Sequence, residues 1–193
     1  MNKKGVYIFL FDGFSDWEIS FLTPELQKSE KIDLKYFSIN GEVIKSMGGL
    51  TITPDYSIDQ INPENISVLI LPGGVAWEDN SITGIDELTE KLHKTNKTIG
   101  AICGATTYLA RKGYLENLDH TSNALFYLKN FVKEYNGEAN YTDELAVTHQ
   151  NLITANGIGP IEFAREVFKK VELHSEEEIE KWFQLFKNGE WSE

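Results

Sequence analysis

The sequence predicts an α/β fold, a mostly parallel sheet with helices on both faces. Three observations carry that expectation. Residues 6–11 (VYIFLF) and 68–71 (VLIL) are short runs without a charged or small polar residue, the pattern of strands covered on both faces. Such runs alternate with stretches whose apolar residues recur at helical spacing. Asp12-Gly13, Pro72-Gly73-Gly74 and Cys103-Gly104 stand directly after three of the strands, where parallel sheets of this class keep their functional crevice.

Each element follows from its own pattern. Residues 6–11 form the first strand. Residues 16–28 read as a helix with Trp17, Phe21, Leu22 and Leu26 inward and Pro24 as a kink or a position that needs no donor. Residues 34–39 are the second strand. Met47-Gly48-Gly49 turns a hairpin between short strands near 42–45 and 50–53. Residues 68–71 form the next strand, and 81–93 a helix with Ile82, Ile85, Leu88 and Leu92 on one stripe. Residues 98–102 form a strand that runs into Cys103 and a helix over 106–111, capped by Gly113. Strands are expected near 120–122, 145–148 and 152–155, and helices over 158–170 and 175–187. The last opens on Ser175-Glu176-Glu177-Glu178, a capping box, before a stripe of Ile179, Trp182, Phe183 and Phe186.

The 193 residues contain no repeat and no Pro/Gly/Ser-rich linker, so residues 1–193 read as a single domain. Hydrophobic residues at 41% and charged residues at 25% exclude wholesale disorder. Thirty acidic against 18 basic residues give a net charge of −12, which repels phosphate backbones and anionic bilayers. Neither nucleic acid nor membrane is therefore an expected partner. No apolar run approaches the roughly 20 residues that span a bilayer. Lys3-Lys4 before an apolar stretch looks partly like a signal peptide. The stretch is short, however, and meets Asp12-Gly13 without a small-residue cleavage site, so a buried strand explains it better. Cys103 is the only cysteine. It excludes an intramolecular disulfide and a multi-Cys metal site, and it fits a reducing cytoplasm. No HxH or HExxH pattern occurs, so no metal or other cofactor is expected.

Cys103 sits in Ala101-Ile102-Cys103-Gly104-Ala105. A nucleophile at a sharp strand-to-helix turn needs small neighbours because the chain passes close by. Such a turn places the thiol at a helix N-terminus, where free amides lower its pKa. The N–H of Gly104, with that of Gly74, would then face an oxyanion. Ser15-Asp16-Trp17-Glu18 is by itself a capping box. The sharper reading aims the Glu18 carboxyl at Cys103, with the two anions disfavouring each other. Among the histidines, His93, His149 and His174 read as solvated or turn residues. His120 is the best candidate base.

Taken in order, Asp12 to Glu18, Leu69 to Gly74, Ala101 to Ala105 with Leu109-Ala110, and Asn156 to Ala164 are specific. The chain resembles the ThiJ/PfpI group of class I glutamine-amidotransferase-like proteins over nearly its whole length. The nearest likeness is to a bacterial subgroup named as intracellular proteases or amidotransferase-like proteins. The resemblance implies a flavodoxin-like three-layer sandwich, usually a homodimer. It implies Cys103 as nucleophile, Glu18 as its carboxyl partner, and Gly74 and Gly104 as oxyanion donors. Activities claimed in the group include peptidase, glyoxalase, deglycase, chaperone and oxidative-stress functions. Many members place a His near the cysteine in the segment matching His120 to Asn123. Without gaps that position falls on Asn123, which cannot act as a base. His120, three residues earlier, would point to the opposite face of a regular strand. The amidotransferase His-x-Glu element is also absent from Gly159-Pro160-Ile161-Glu162.

The resulting expectation is a Cys103-dependent enzyme acting on a small-molecule carbonyl or amide. Two alternatives stand beside it: a redox-responsive or chaperone-like protein that senses oxidants through Cys103, and a peptidase or amidotransferase-like subunit. A third possibility, a partner bound by the Trp182, Phe183, Phe186 stripe, competes with packing of that stripe on the core.

Overall fold

Residues 3–191 are described by a computed structural model. In chain order the elements are β1 (Lys4–Phe9), α1 (Thr23–Lys28), β2 (Ile32–Ser38), β3 (Ile44–Lys45), β4 (Thr51–Ile52), β5 (Tyr56–Ser57), β6 (Val68–Leu71), α2 (Val75–Glu78), α3 (Asp86–Lys94), β7 (Thr98–Ile102), α4 (Ala105–Arg111), α5 (Leu125–Phe131), β8 (Ala146–His149), β9 (Leu152–Ala155), α6 (Pro160–Val171) and α7 (Glu176–Asn188). Seven strands form one sheet in the order β5-β2-β1-β6-β7-β9-β8. All neighbours are parallel except β8, which returns antiparallel along β9. Helices surround the sheet. The central strands β6, β7 and β9 are buried at every position, which is why their sequences are apolar or small throughout.

Strand order reverses at β1, which pairs with β2 on one side and β6 on the other. Ligands of open α/β sheets bind beyond the carboxyl ends of strands at such a switch point. The carboxyl ends of β1, β6, β7 and β9 all lie on that edge and deliver residues 10–15, 72–74, 103–104 and 156–159 to it.

Several expected elements differ. The helix over 16–28 is two pieces: a 3-10 turn, Asp16–Ile19, and α1 with Pro24 in its first turn. Leu22 and Leu26 are fully buried, but Trp17 points outward, because a three-residue period does not keep it on the face of the α-helix. The helix over 81–93 begins only at Asp86, since Gly84 at φ +89° breaks the run before it. Residues 120–122 form no strand; His120 makes one isolated bridge to Tyr141. The C-terminal stripe packs inward except at Phe186, which stays exposed beside Trp182 and Phe21. Ile179 and Phe183 are buried, and Trp182 stacks edge-on against Phe168 at 4.8 Å. No helix among the described residues is long and apolar enough to cross a membrane.

Candidate active site

Cys103 is the first residue beyond β7 and adopts φ +57°. A side chain in the left-handed region costs on the order of 1–3 kcal/mol, so the surroundings must impose it. They do so through the backbone. Cys103 N–H donates to Ala155 O at 2.9 Å, and the Cys103 carbonyl accepts from Thr106 N at 3.1 Å and Thr106 Oγ1 at 2.6 Å. The chain thereby turns sharply from β7 into α4. Close approach explains the small neighbours: a Cβ on Gly104 would lie 2.7 Å from Gly74 O, and one on Gly157 2.9 Å from the Cys103 sulfur.

Glu18 sits on the 3-10 turn and is fully buried. Its Oε2 accepts from Gly73 N–H at 2.6 Å, while Ser15 N–H donates to Gly73 O at 2.9 Å. Gly73, through both its N–H and its C=O, thus clasps the loop after β1 to the turn after β6. The Ser15 side chain makes no capping bond, so Glu18 is not half of a capping box. A Cβ placed on Gly73 would fall 2.7 and 2.8 Å from the two Glu18 oxygens and 2.8 Å from Cys103 Cβ. Carboxyl and thiol therefore face one another across the bare Gly73 backbone. Glu18 Oε1 has no partner of normal hydrogen-bond geometry among the described residues.

Burial raises the Glu18 carboxyl to about 7, opposed by the Gly73 amide and the Cys103 thiol. Burial, then the Glu18 charge, pushes Cys103 up to about 12, while the Asn123 amide and the Gly104 N–H pull it down. The sequence predicts a lowered thiol, and the structure reverses that expectation. The amides expected to lower it are in place, but they are outweighed by desolvation and an anion at contact distance. The pair titrates as a unit and holds a single proton from about pH 7 upward.

The amide of Gly74 donates to no protein acceptor among the described residues, and that of Gly104 reaches only the Cys103 sulfur. Asn123 Nδ2 lies 3.3 Å from the Cys103 sulfur, and Asn123 Oδ1 accepts from Gly157 N at 2.9 Å. His120 is elsewhere. Its Nδ1 bonds Leu118 O at 2.7 Å and its Nε2 the Tyr135 hydroxyl at 2.6 Å, in a fully buried setting. His149 accepts from Asp119 N, and His93 stacks on Tyr114. Among the described residues no histidine hydrogen-bonds Cys103, and no three His, Cys, Asp or Glu side chains are grouped to hold a metal ion. Two neighbours went unnoticed in the sequence. Tyr127 stands near enough to Cys103 for the thiolate's charge to reach its phenol, and its hydroxyl donates to Glu78 Oε1 at 2.7 Å. Both residues look like ordinary polar positions on short helices, and no spacing from Cys103 marks them. Trp17, Val75, Phe126 and Ile158 are exposed, each one position from Glu18, Gly74, Tyr127 or Gly157.

A parallel α/β sheet with a cysteine on a left-handed strand-to-helix elbow defines a class of single-thiol proteins. Residues 4–170 match the profile of the DJ-1/PfpI family, and the chain belongs to that family. It is 39% identical to the uncharacterised protease YoaZ of Bacillus subtilis, over 97% of this chain and 92% of that protein. It is 27% identical to the deglycase TK1284 of Thermococcus kodakarensis, over 81% and 92% of the two chains. The crystal structure of a thiJ/pfpI family protein from Bacillus anthracis superposes with a TM-score of 0.88 at 36% identity, covering 98% of this chain and 93% of that one. Its relatives thus carry both protease and deglycase names.

Proposed function

We propose that the chain is a cysteine-dependent enzyme acting on a small carbonyl substrate, of the glyoxalase or deglycase type, with Cys103 as nucleophile and Glu18 as its proton partner. The buried Glu18 carboxyl set against the elbow thiol carries this reading. As carboxylate, Glu18 takes the S–H proton while sulfur bonds to the carbonyl carbon. The C=O electron pair moves to oxygen, which meets the N–H groups of Gly74 and Gly104. Glu18 returns the proton to that oxygen, leaving a thiohemiacetal. For a 2-oxoaldehyde, Glu18 then carries the C1 proton to C2 while the C1 hydroxyl proton passes to the C2 oxygen, giving a thioester of a 2-hydroxy acid. Water cleaves the thioester and restores the thiol, so the sum is addition of one water with no external oxidant. Amide hydrolysis needs an acid for the leaving amine, and no imidazole bonds Cys103 to supply it. Carbonyl addition is therefore favoured over peptidase or amidotransferase chemistry.

Purified protein assayed on methylglyoxal and on small amides tests the reading. C103S is expected to abolish turnover, and E18Q to lower kcat/KM by about 100-fold or more. Full activity of C103S on these substrates would overturn it.

A second reading, oxidant sensing, is favoured by the unpartnered Glu18 Oε1, which could donate as carboxylic acid to a sulfinate oxygen. Intact mass after mild peroxide decides it: two added oxygens on wild type but not on E18A support sensing, and an unchanged wild-type mass removes it. For the assembly we propose a homodimer. Trp17 and the exposed Val43, Met47 and Leu50 of the β3–β4 hairpin support it. That hairpin is joined to the loop after β1, just ahead of Trp17, through Gly13 N–Lys45 O and Met47 N–Phe14 O bonds. Light scattering should give twice the chain mass for wild type and one chain mass for M47E; a wild-type monomer ends the proposal.

A further inference from the structure

The β3–β4 hairpin adds no strand to the main sheet, yet it is fastened residue by residue to the segment that carries Glu18. Lys45 N donates to Asp12 Oδ1 at 2.8 Å, and the Lys45 carbonyl accepts from Gly13 N at 2.8 Å. Met47 N donates to Phe14 O at 2.8 Å. Two further bonds end on one oxygen: Asp16 Oδ2 accepts from Ser46 Oγ at 2.5 Å and from Gly48 N at 3.1 Å. Ser46 is buried, and its oxygen already accepts from Leu50 N, so its single proton serves Asp16. A Cβ on Gly48 would collide with the Asp16 carboxyl, which is why the turn closes on bare backbone there. Asp16 opens the 3-10 turn on which Glu18 lies two residues further on. The Glu18 N–H donates within that turn, to Ser15 O at 3.3 Å. The place of its carboxyl therefore follows from where the segment is fixed. Gly73 fixes it from the sheet side, through Ser15 N and Glu18 Oε2, and the hairpin fixes it from the other.

We infer that Asp16, gripped by Ser46 and Gly48 of the hairpin, is a positioning residue for the Glu18 carboxyl, and that the hairpin is the outer support of the candidate site. The catalytic meaning of this support rests on Glu18 being the proton partner, as proposed above. Its geometric content, a turn kept against Gly73 by bonds to Asp16, does not.

NMR of the intact protein with isotope-labelled glutamate carboxyls, across a pH series, reads the Glu18 carboxyl without substrate, and E18Q assigns its resonance by removing it. Wild-type Glu18 should titrate at about 7, held there chiefly by burial. D16A frees the turn and lets water reach the carboxyl, so its midpoint should fall by about one unit or more towards 4.5. S46A removes one of the two bonds to Asp16 and should move the midpoint the same way. D16N loses the same charge as D16A but keeps an oxygen that accepts from Ser46 and Gly48, so it should hold the wild-type midpoint. With the carboxyl displaced, kcat/KM for methylglyoxal should drop about tenfold in D16A and not in D16N. A Glu18 midpoint unmoved in D16A and S46A, or moved as far by D16N as by D16A, would overturn the inference. Should D16A not fold, the S46A midpoint decides alone. C103S turnover judges the catalytic reading separately.

Discussion

Glu18 keeps its proton well beyond its ordinary value of 4.5, to about 7, because burial outweighs the hydrogen bonds from Gly73, Cys103 and Ser15 that favour its charged form. The folded state thus binds a proton that the unfolded chain has released. The stabilisation from this group is whole below about pH 4.5 and is lost as pH rises through about 7. An uncharged amide avoids that loss. E18Q should therefore be more stable than wild type at pH 8, by up to about 3 kcal/mol, and no more stable at pH 4, as urea unfolding at the two pH values would show. The same titration governs turnover. A base must first lose its proton, so kcat/KM should climb with pH through about 7, and E18Q should lack that limb. The site was legible in part at this scale. Cys103 stood out by its small neighbours, and Glu18 only by resemblance, since Ser15-x-x-Glu18 reads equally as a cap. His120 misled because a single imidazole in the right segment says nothing about where both its nitrogens bond.

Among the elements, those with one dominant physical cause were the ones read correctly. β6, β7 and β9 match the expected 68–71, 98–102 and 152–155 because strands buried on both faces leave no polar position to blur their ends. α7 begins where its capping box lies, with Ser175 Oγ accepting from Glu178 N. S175A should cost about 1 kcal/mol in chemical unfolding and leave turnover untouched. β5 and α5 escaped notice. β5 is two residues at the sheet edge, and α5 is rich in aromatic residues with no capping side chain. The turn between β6 and α2 is the most exacting piece of the edge. A methyl group on Gly73 would meet both Glu18 oxygens and Cys103 Cβ, the last of which cannot swing away. G73A should retain the fold by circular dichroism yet lose about 100-fold in kcat/KM, the effect of a displacement near one ångström at reacting groups.

At the scale of the whole molecule, the sheet order explains why residues as distant as 18, 73, 103, 123 and 157 meet. Parallel strands joined in one hand deliver every following loop to the same edge. The alternation of runs made that convergence readable, but not the exact contacts, which depend on loop paths that no periodicity encodes. Trp17, Val75, Phe126 and Ile158 are exposed, and each adjoins in the chain a buried or half-buried residue of the site, Glu18, Gly74, Tyr127 or Gly157. The division has an evolutionary meaning. Under the proposed carbonyl chemistry, exchanging one of these four exposed letters should change which substrates are taken while leaving the thiol and its carboxyl partner in place. A lineage with this scaffold can therefore change its diet without reinventing its chemistry.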